Sequence, residues 1–466
     1  MKAVILWFIV VLLMPKGNPP EIVTGYHAYA DTDSVFVQGD SLVGQQNQDE
    51  FLQFINGDVR VNYGSTEITS DQAVRNVTRS QTSFTGNSVL IDQGDTLEAD
   101  ALDYNEDLEI GRAVGNVRLT DGEVVTTSPK GVYYVEERRV EFPEGLVLID
   151  SLTTLVGDSG FYWTDTKIAD MSGDVMMESE DARLFADSLL HYREHSISLA
   201  QGSVRYLRTT LNDSLWIAGE RFEYNANDSL AIVEGDPIFI NIEYDSLSVD
   251  TLIIRADMMH FQDRMNTSGL DATRNVRIWN SSLSATADSV AYQRLGHGSN
   301  EEIWLYGLPF VWMNQTQLSG DTMKVIIHDG NVDSLMIWGN AFVAEEDSLI
   351  QRINQVKGHT LVSRTMHDSV RVIIIGPNAE AIYFNADEEG LPDGAIEASS
   401  DEIRMMFEGD SLRTLSFRTD VKGIRHPQKS VTDDLKLEGL QWNVMQKPSK
   451  YQLLGDFVHW MQRWEN

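Results

Sequence analysis

The sequence predicts an all-β protein: an elongated stack of repeats of ~29–33 residues, either two sheets folded over a continuous apolar interior or a β-helix, with a short C-terminal helix. Three observations carry this. A Gly followed by Asn or Asp and an alternating apolar pair recurs along the chain, with glycines 57, 86, 115, 145, 173 and 202 spaced by 29, 29, 30, 28 and 29 residues. The segments between them alternate apolar and polar with period two, the mark of a strand with one apolar face. The connections are turn chemistry, such as Asp92-Gln93-Gly94-Asp95, Thr120-Asp121-Gly122 and Asn225-Ala226-Asn227-Asp228.

The Gly unit reads Gly57-Asp58-Val59-Arg60-Val61, Gly115-Asn116-Val117-Arg118-Leu119 and Gly173-Asp174-Val175-Met176-Met177, with variants at Gly86-Asn87-Ser88-Val89 and Gly339-Asn340-Ala341. A second unit follows about 14 residues later: small residue, acid, then apolar residues at alternate positions. Copies are Ala99-Asp100 with Leu102 and Tyr104, Gly219-Glu220 with Phe222 and Tyr224, Ala256-Asp257 with Met259 and Phe261, and Ala287-Asp288 with Val290 and Tyr292. The acid in each copy is expected to serve a turn or a strand edge. A repeat this small cannot bury its own apolar face, so neighbours must stack. The two ends of such a stack expose unpaired strand edges.

Composition narrows the function. With 36 basic and 71 acidic residues the formal charge is −35, which excludes the basic footprint of a nucleic-acid binder. There is no Cys, hence no disulfide, thiolate metal site or cysteine nucleophile. Lys2 and the apolar run Ala3 to Met14 read as a secretory signal, with Ala28-Tyr29-Ala30 matching a cleavage site, so residues 1–30 are expected to be a leader and the mature chain to be exported. His191 and His195 would share a strand face but lack a third ligand, so no metal is expected. No phosphate loop, dinucleotide fingerprint or nucleophile elbow is present; no cofactor is expected and the chain is read as not an enzyme.

The alternation of these two units, separated by Asp-Gly or Gln-Gly-Asp turns, resembles the OstA-like domain. The best stretch runs from Gly86 to Gly122; the likeness spans roughly residues 50 to 345 and weakens toward 430. The resemblance implies a periplasmic protein that carries lipopolysaccharide to the outer membrane. It implies the fold as well: in that family the domain is a slit β-jellyroll whose two sheets form a hydrophobic groove, and jellyrolls stack into an elongated bridge. It implies as partners the acyl chains of lipid A, the inner-membrane transport complex, the outer-membrane translocon and end-to-end copies of the chain itself. The inward-facing candidates for lipid contact are Val59, Val61, Val89, Ile91, Leu102, Tyr104, Val117, Leu119, Val175, Met177, Phe222, Tyr224, Met259, Phe261, Val290 and Tyr292. A dry, filled core would show the same alternation. An extracellular β-helical scaffold or adhesin and a carbohydrate-active β-helix enzyme are therefore the competing readings.

The expected organisation is a leader (1–30), jellyroll repeats over 50–235 and 236–375, C-terminal β repeats or cap over 376–449, and an amphipathic helix over 450–466. The chain turns loop-rich between Gly376-Pro377 and Asp393-Gly394. In the last segment Leu453, Leu454, Phe457, Val458, Met461 and Trp464 fall on one helical face, read as a cap over the last open sheet edge.

Overall fold

The repeat is explained by one recurring event: a long strand bends at a bulge. In the computed structural model the strand Gln81–Asp92 pairs with Thr66–Asn76 and with Asp95–Asn105, and in both ladders the register slips around Gly86-Asn87. Gly86 and Asn87 both have positive φ, 80° and 47°. The bend sends the half before it into one wall and the half after it into a second wall facing the first. The first wall holds Gln81–Thr85 and Ala101–Asn105; the second holds Ser88–Asp92 and Asp95–Ala99. The same slip recurs at Asn56/Val59, Val114/Val117, Gln201/Val204, Thr273/Val276 and Trp338/Ala341.

The two sequence units turn out to be the two halves of this corner. The Asn of the Gly unit donates its side-chain amide to the acid of the preceding strand: Asn87 Nδ2 to Asp71 Oδ2 at 3.0 Å, and Asn116 Nδ2 to Asp100 Oδ2 at 2.9 Å. The contact recurs further along the chain with Asn275 and Asp257 at 3.1 Å and Asn340 and Asp321 at 3.1 Å. The neighbouring Gly leaves room for that carboxylate, since a Cβ on Gly115 would fall on Asp100. The acid expected at a turn or edge is thus a corner residue, as its recurrence one strand before each Gly requires.

The structure describes residues 35–455 and 457, apart from 48, 212, 245–248, 265–266, 296–299, 329–330, 367–369 and 409–410. The expected leader and most of the terminal amphipathic segment lie outside these residues. Among them all strand pairings are antiparallel and the α-helix is the short Lys450–Leu454. No described helix is long and apolar enough to cross a membrane. The chain divides into two compact units, one of residues 1–180 and 188–194, the other of 181–187 and 195–466.

The first described strands of unit 1, Val35–Gln38 and Ser41–Asn47, pair with the two halves of Glu50–Tyr63 and, among the described residues, form the edge of each wall. In unit 2 the last strands, Ser411–Arg418 and Lys422–His426, form the corresponding edges, paired to Glu402–Glu408 and Pro392–Ser400. The stretch expected to be loop-rich is mostly sheet: Ala379–Ala386 pairs with Pro392–Ser400 across a short turn. Its Gly and Asp residues mark that turn and not an irregular domain.

The C-terminal segment corrects a second expectation. Beyond His426 the chain does not cap a sheet edge; it runs back over the outer face of the second wall of unit 2. Its contacts fall in reverse sequence order. Gln428 Oε1 accepts from Gly394 N, Leu437 N donates to Gln355 Oε1 at 2.8 Å, Asn443 N donates to Gln317 Oε1 at 2.8 Å, and Ser284 Oγ donates to Pro448 O at 2.9 Å. Ser449 then caps the helix in a capping box with Gln452. Leu453 and Leu454 bury against Trp216, Ile238, Ile240 and Ile253, and Leu437 against Phe342, Ile382 and Phe384. Helical periodicity says that one face is covered but not by what, and a sheet edge and a sheet face look alike from sequence.

Candidate functional site

The interior between the walls differs in the two units. In unit 1 it is filled. Val59, Val61, Leu102, Tyr104, Val117, Leu119 and Val175 are all at most 2% exposed, so they form a packed core. Met177 is half-buried. Val89 and Ile91 do not face inward: Ser88, Leu90 and Asp92 do, while Ile91 is 40% exposed on the outer face. The inward positions are the second and fourth after each corner Gly. In the Gly86 copy a Ser occupies the first of these, which makes the apolar alternation look one residue out of phase.

The mouth opposite the corner is latched in unit 1 by three ionic rungs, each joining a turn of one wall to a turn of the other. Arg138 meets Asp95 at 2.9 Å, Lys167 meets Asp121 at 2.6 Å, and Arg193 meets Asp150 at 3.1 Å. Two tyrosines reinforce them from inside, Tyr133 to Asp95 at 3.2 Å and Tyr162 to Asp121 at 2.6 Å. Burial raises the Tyr133 and Tyr162 hydroxyls well above their usual range, so both stay protonated donors.

The Asp121 rung predicts an acid sensitivity. Burial pushes its carboxyl up, but Lys167, Tyr162 and the amides of Glu123 and Val124 outweigh it and hold it at about 2, below its usual 3.8. The folded state therefore favours the ionised form. That stabilisation is complete above about pH 4 and disappears as pH falls through the folded value near 2, an effect of about 2 kcal/mol. Asp121→Asn should lower stability by about that amount at neutral pH, and the gap to the parent chain should close by pH 2. Urea unfolding at pH 7, 4 and 2 checks it; a gap that is constant with pH would show that the rung carries no charge-dependent stability.

Unit 2 has no such rung at the turn Ala226–Ser229, whose residues Ala226, Asn227, Asp228 and Ser229 include no base. Here a cavity of about 190 Å³ opens between the walls. Phe222, Tyr224, Phe261 and Tyr292, four of the sequence candidates, border it, together with Tyr206, Arg208, Ile217, Phe239, Leu270 and Arg294. The rings form two clusters beside it: Tyr206 to Phe222 at 5.9 Å, and Phe239 to Phe261 at 5.7 Å and to Tyr292 at 6.0 Å between centroids. Met259 and Val290 are buried in the core beside it. Tyr292 donates to Glu301 at 2.6 Å, and burial lifts that carboxyl to about 7. Arg294 is held by Glu243 and, at 3.5 Å, by Asp213.

Tyr206, Phe239 and the two arginines were missed from sequence. Tyr206 and Arg208 follow Val204 on the inward phase after Gly202, so the corner rule would have found them. A wider polar hollow of about 580 Å³ sits at the corner of unit 2 beside Asp257, Arg277 and Asp288; none of the candidate residues borders it. His191 is buried on a strand while His195 lies in the following turn, so the pair does not share one strand face.

Comparison with known proteins agrees with the resemblance over part of the chain. Residues 32–187, about a third of the sequence, match the family described as OstA-like protein. Among solved structures the chain is similar to LptH of Pseudomonas aeruginosa, the LptA-homologous periplasmic component of the lipopolysaccharide transport device. Identity there is 15%, covering 31% of this chain and 94% of that one, with a TM-score of 0.18. No curated protein matches.

Proposed function

We propose that the protein is a non-enzymatic periplasmic carrier of lipopolysaccharide, holding lipid A acyl chains between the walls of unit 2 on the way to the outer membrane. The observation that carries this reading is the cavity at Phe222, Tyr224, Phe261 and Tyr292, where the inward positions of the repeat line a gap. Burial of acyl methylenes contributes roughly 0.8 kcal/mol each, so a trough of rings and aliphatic side chains can hold a chain with no reacting group. At about 190 Å³ the space is comparable to the ~150 Å³ apolar cavity that admits benzene. It takes the end of a chain, and a longer stretch requires the walls to part. The OstA-like match over residues 32–187 supports the same role, with an inner-membrane transport complex and an outer-membrane translocon as partners. The strands Val35–Asn47 and Ser411–His426, which form sheet edges among the described residues, suit end-to-end pairing with another copy.

A second reading, a β scaffold with a solid core, is favoured by the filled and latched interior of unit 1. Photo-crosslinking in the exporting cell separates the two. A photoreactive residue at Tyr224 or Phe261 should capture lipopolysaccharide, and one at the outward Glu223 should not. Adducts at Tyr104 as well would mean that the unit 1 latch opens in use. Silence at both Tyr224 and Phe261 in a correctly exported chain would leave only the scaffold.

A further inference from the structure

One basic side chain at the cavity has no partner among the described residues. Arg208 follows Val204 and Tyr206 on the inward face of the strand Ile197–Thr209 and borders the cavity. Its Nε is enclosed and unbonded, and its guanidinium makes no hydrogen bond or ion pair among the described residues. The contrast with the other bases at the mouths is sharp: Arg138, Lys167, Arg193 and Arg294 each sit on a carboxylate. On a chain with nearly twice as many acids as bases, an inward arginine that has found no acid is unexpected. An enclosed N–H without an acceptor is destabilising, and the cost is relieved by anything that brings oxygen atoms to it. The planar guanidinium fork matches a carboxylate or a phosphate, two oxygens at a time.

We propose that Arg208 is an anion-binding subsite at the mouth of the unit 2 cavity, which takes the acidic head of an amphiphile whose acyl chain lies along the floor of Ile217, Phe222, Phe239 and Phe261. The inference rests on the carrier reading and refines it, because it places one acidic group at the mouth and not out in bulk water. Two sources share this chemistry, the carboxylate of a fatty acid and the phosphate of a lipid A.

The test uses the full chain and a set of ligands with a common tail: laurate, dodecyl phosphate and the neutral dodecanol, titrated by calorimetry. Arg208→Gln should weaken laurate and dodecyl phosphate by about tenfold and leave dodecanol within about twofold. Arg208→Lys, which keeps the charge and loses the fork, should fall between. Lipid A with and without its phosphates then assigns the source. A phosphate-dependent loss confined to lipid A points to the lipid A head, and a loss confined to laurate points to a fatty acid. If Arg208→Gln leaves the anionic ligands unchanged, or weakens dodecanol equally, the subsite is wrong. The carrier reading survives that result provided Leu270→Trp, which fills the cavity, abolishes dodecanol binding. If the parent chain binds none of the tails, both readings fall together. Unchanged melting of each variant confirms that binding and not folding is being read.

Discussion

A chain ending at Pro427 should lose the fold of unit 2 and aggregate. The segment that follows lies across the outer face of the second wall, where it covers Trp216, Ile238, Ile240 and Ile253 at one end and Phe342, Ile382 and Phe384 at the other. Each large apolar side chain returned to water costs roughly 1.5–3 kcal/mol, so the sum over these residues is on the order of the 5–15 kcal/mol by which a domain is stable at all. A newly bared apolar face of this breadth is also an aggregation site. The milder change Leu453→Asp places a charge in a position that is 1% exposed and should cost about 3–5 kcal/mol. Thermal melting with light scattering reads both. A truncated chain that scatters no more light than the parent and melts with it would mean that the covering segment contributes nothing.

Gly115→Val should be the most damaging single substitution in unit 1. Gly115 has φ +80°, a region a β-branched residue enters only under strain, and its Cβ would collide with the Asp100 carboxylate that closes the corner. Strain and the broken Asn116–Asp100 contact together should cost about 3 kcal/mol or more. Gly122 is the internal control. Its φ is +91°, but a Cβ there meets nothing within 4 Å, so Gly122→Ala should cost only about 1 kcal/mol. Denaturant midpoints of the two variants decide the matter. Equal losses would show that backbone conformation alone, and not the corner contact, sets the requirement for glycine.

Much of the architecture was legible because it is local. The corner joins residues fifteen apart, as in Asp100 and Gly115, and that distance is visible as a recurring phase. The latch was not legible, because each rung joins turns 43 or 46 residues apart, and nothing in the alternation says which turn of one wall faces which turn of the other. The signal was nonetheless present. Tyr104, Tyr133 and Tyr162 recur at 29-residue steps, and Arg138, Lys167 and Arg193 recur nearly so. The candidate site was partly legible for the same reason. Inward phase picks out Phe222 and Tyr292, but whether an inward ring meets another ring or an empty space depends on the distance between walls. Unit 1 and the cavity of unit 2 share one pattern, yet the first buries its inward side chains and the second leaves a gap. Ile91 shows the opposite failure, an apolar residue that follows a polar one at the inward position and so mimics the core phase.

Because Asp71, Asp100, Asp158 and Asp187 are each matched to a glycine fifteen residues on, each of these strand pairs brings both halves of its own bend. Copying or excising such a pair leaves all remaining bends intact. A gene of this kind can gain or lose such a pair as a whole increment without any compensating substitution in the bends that remain.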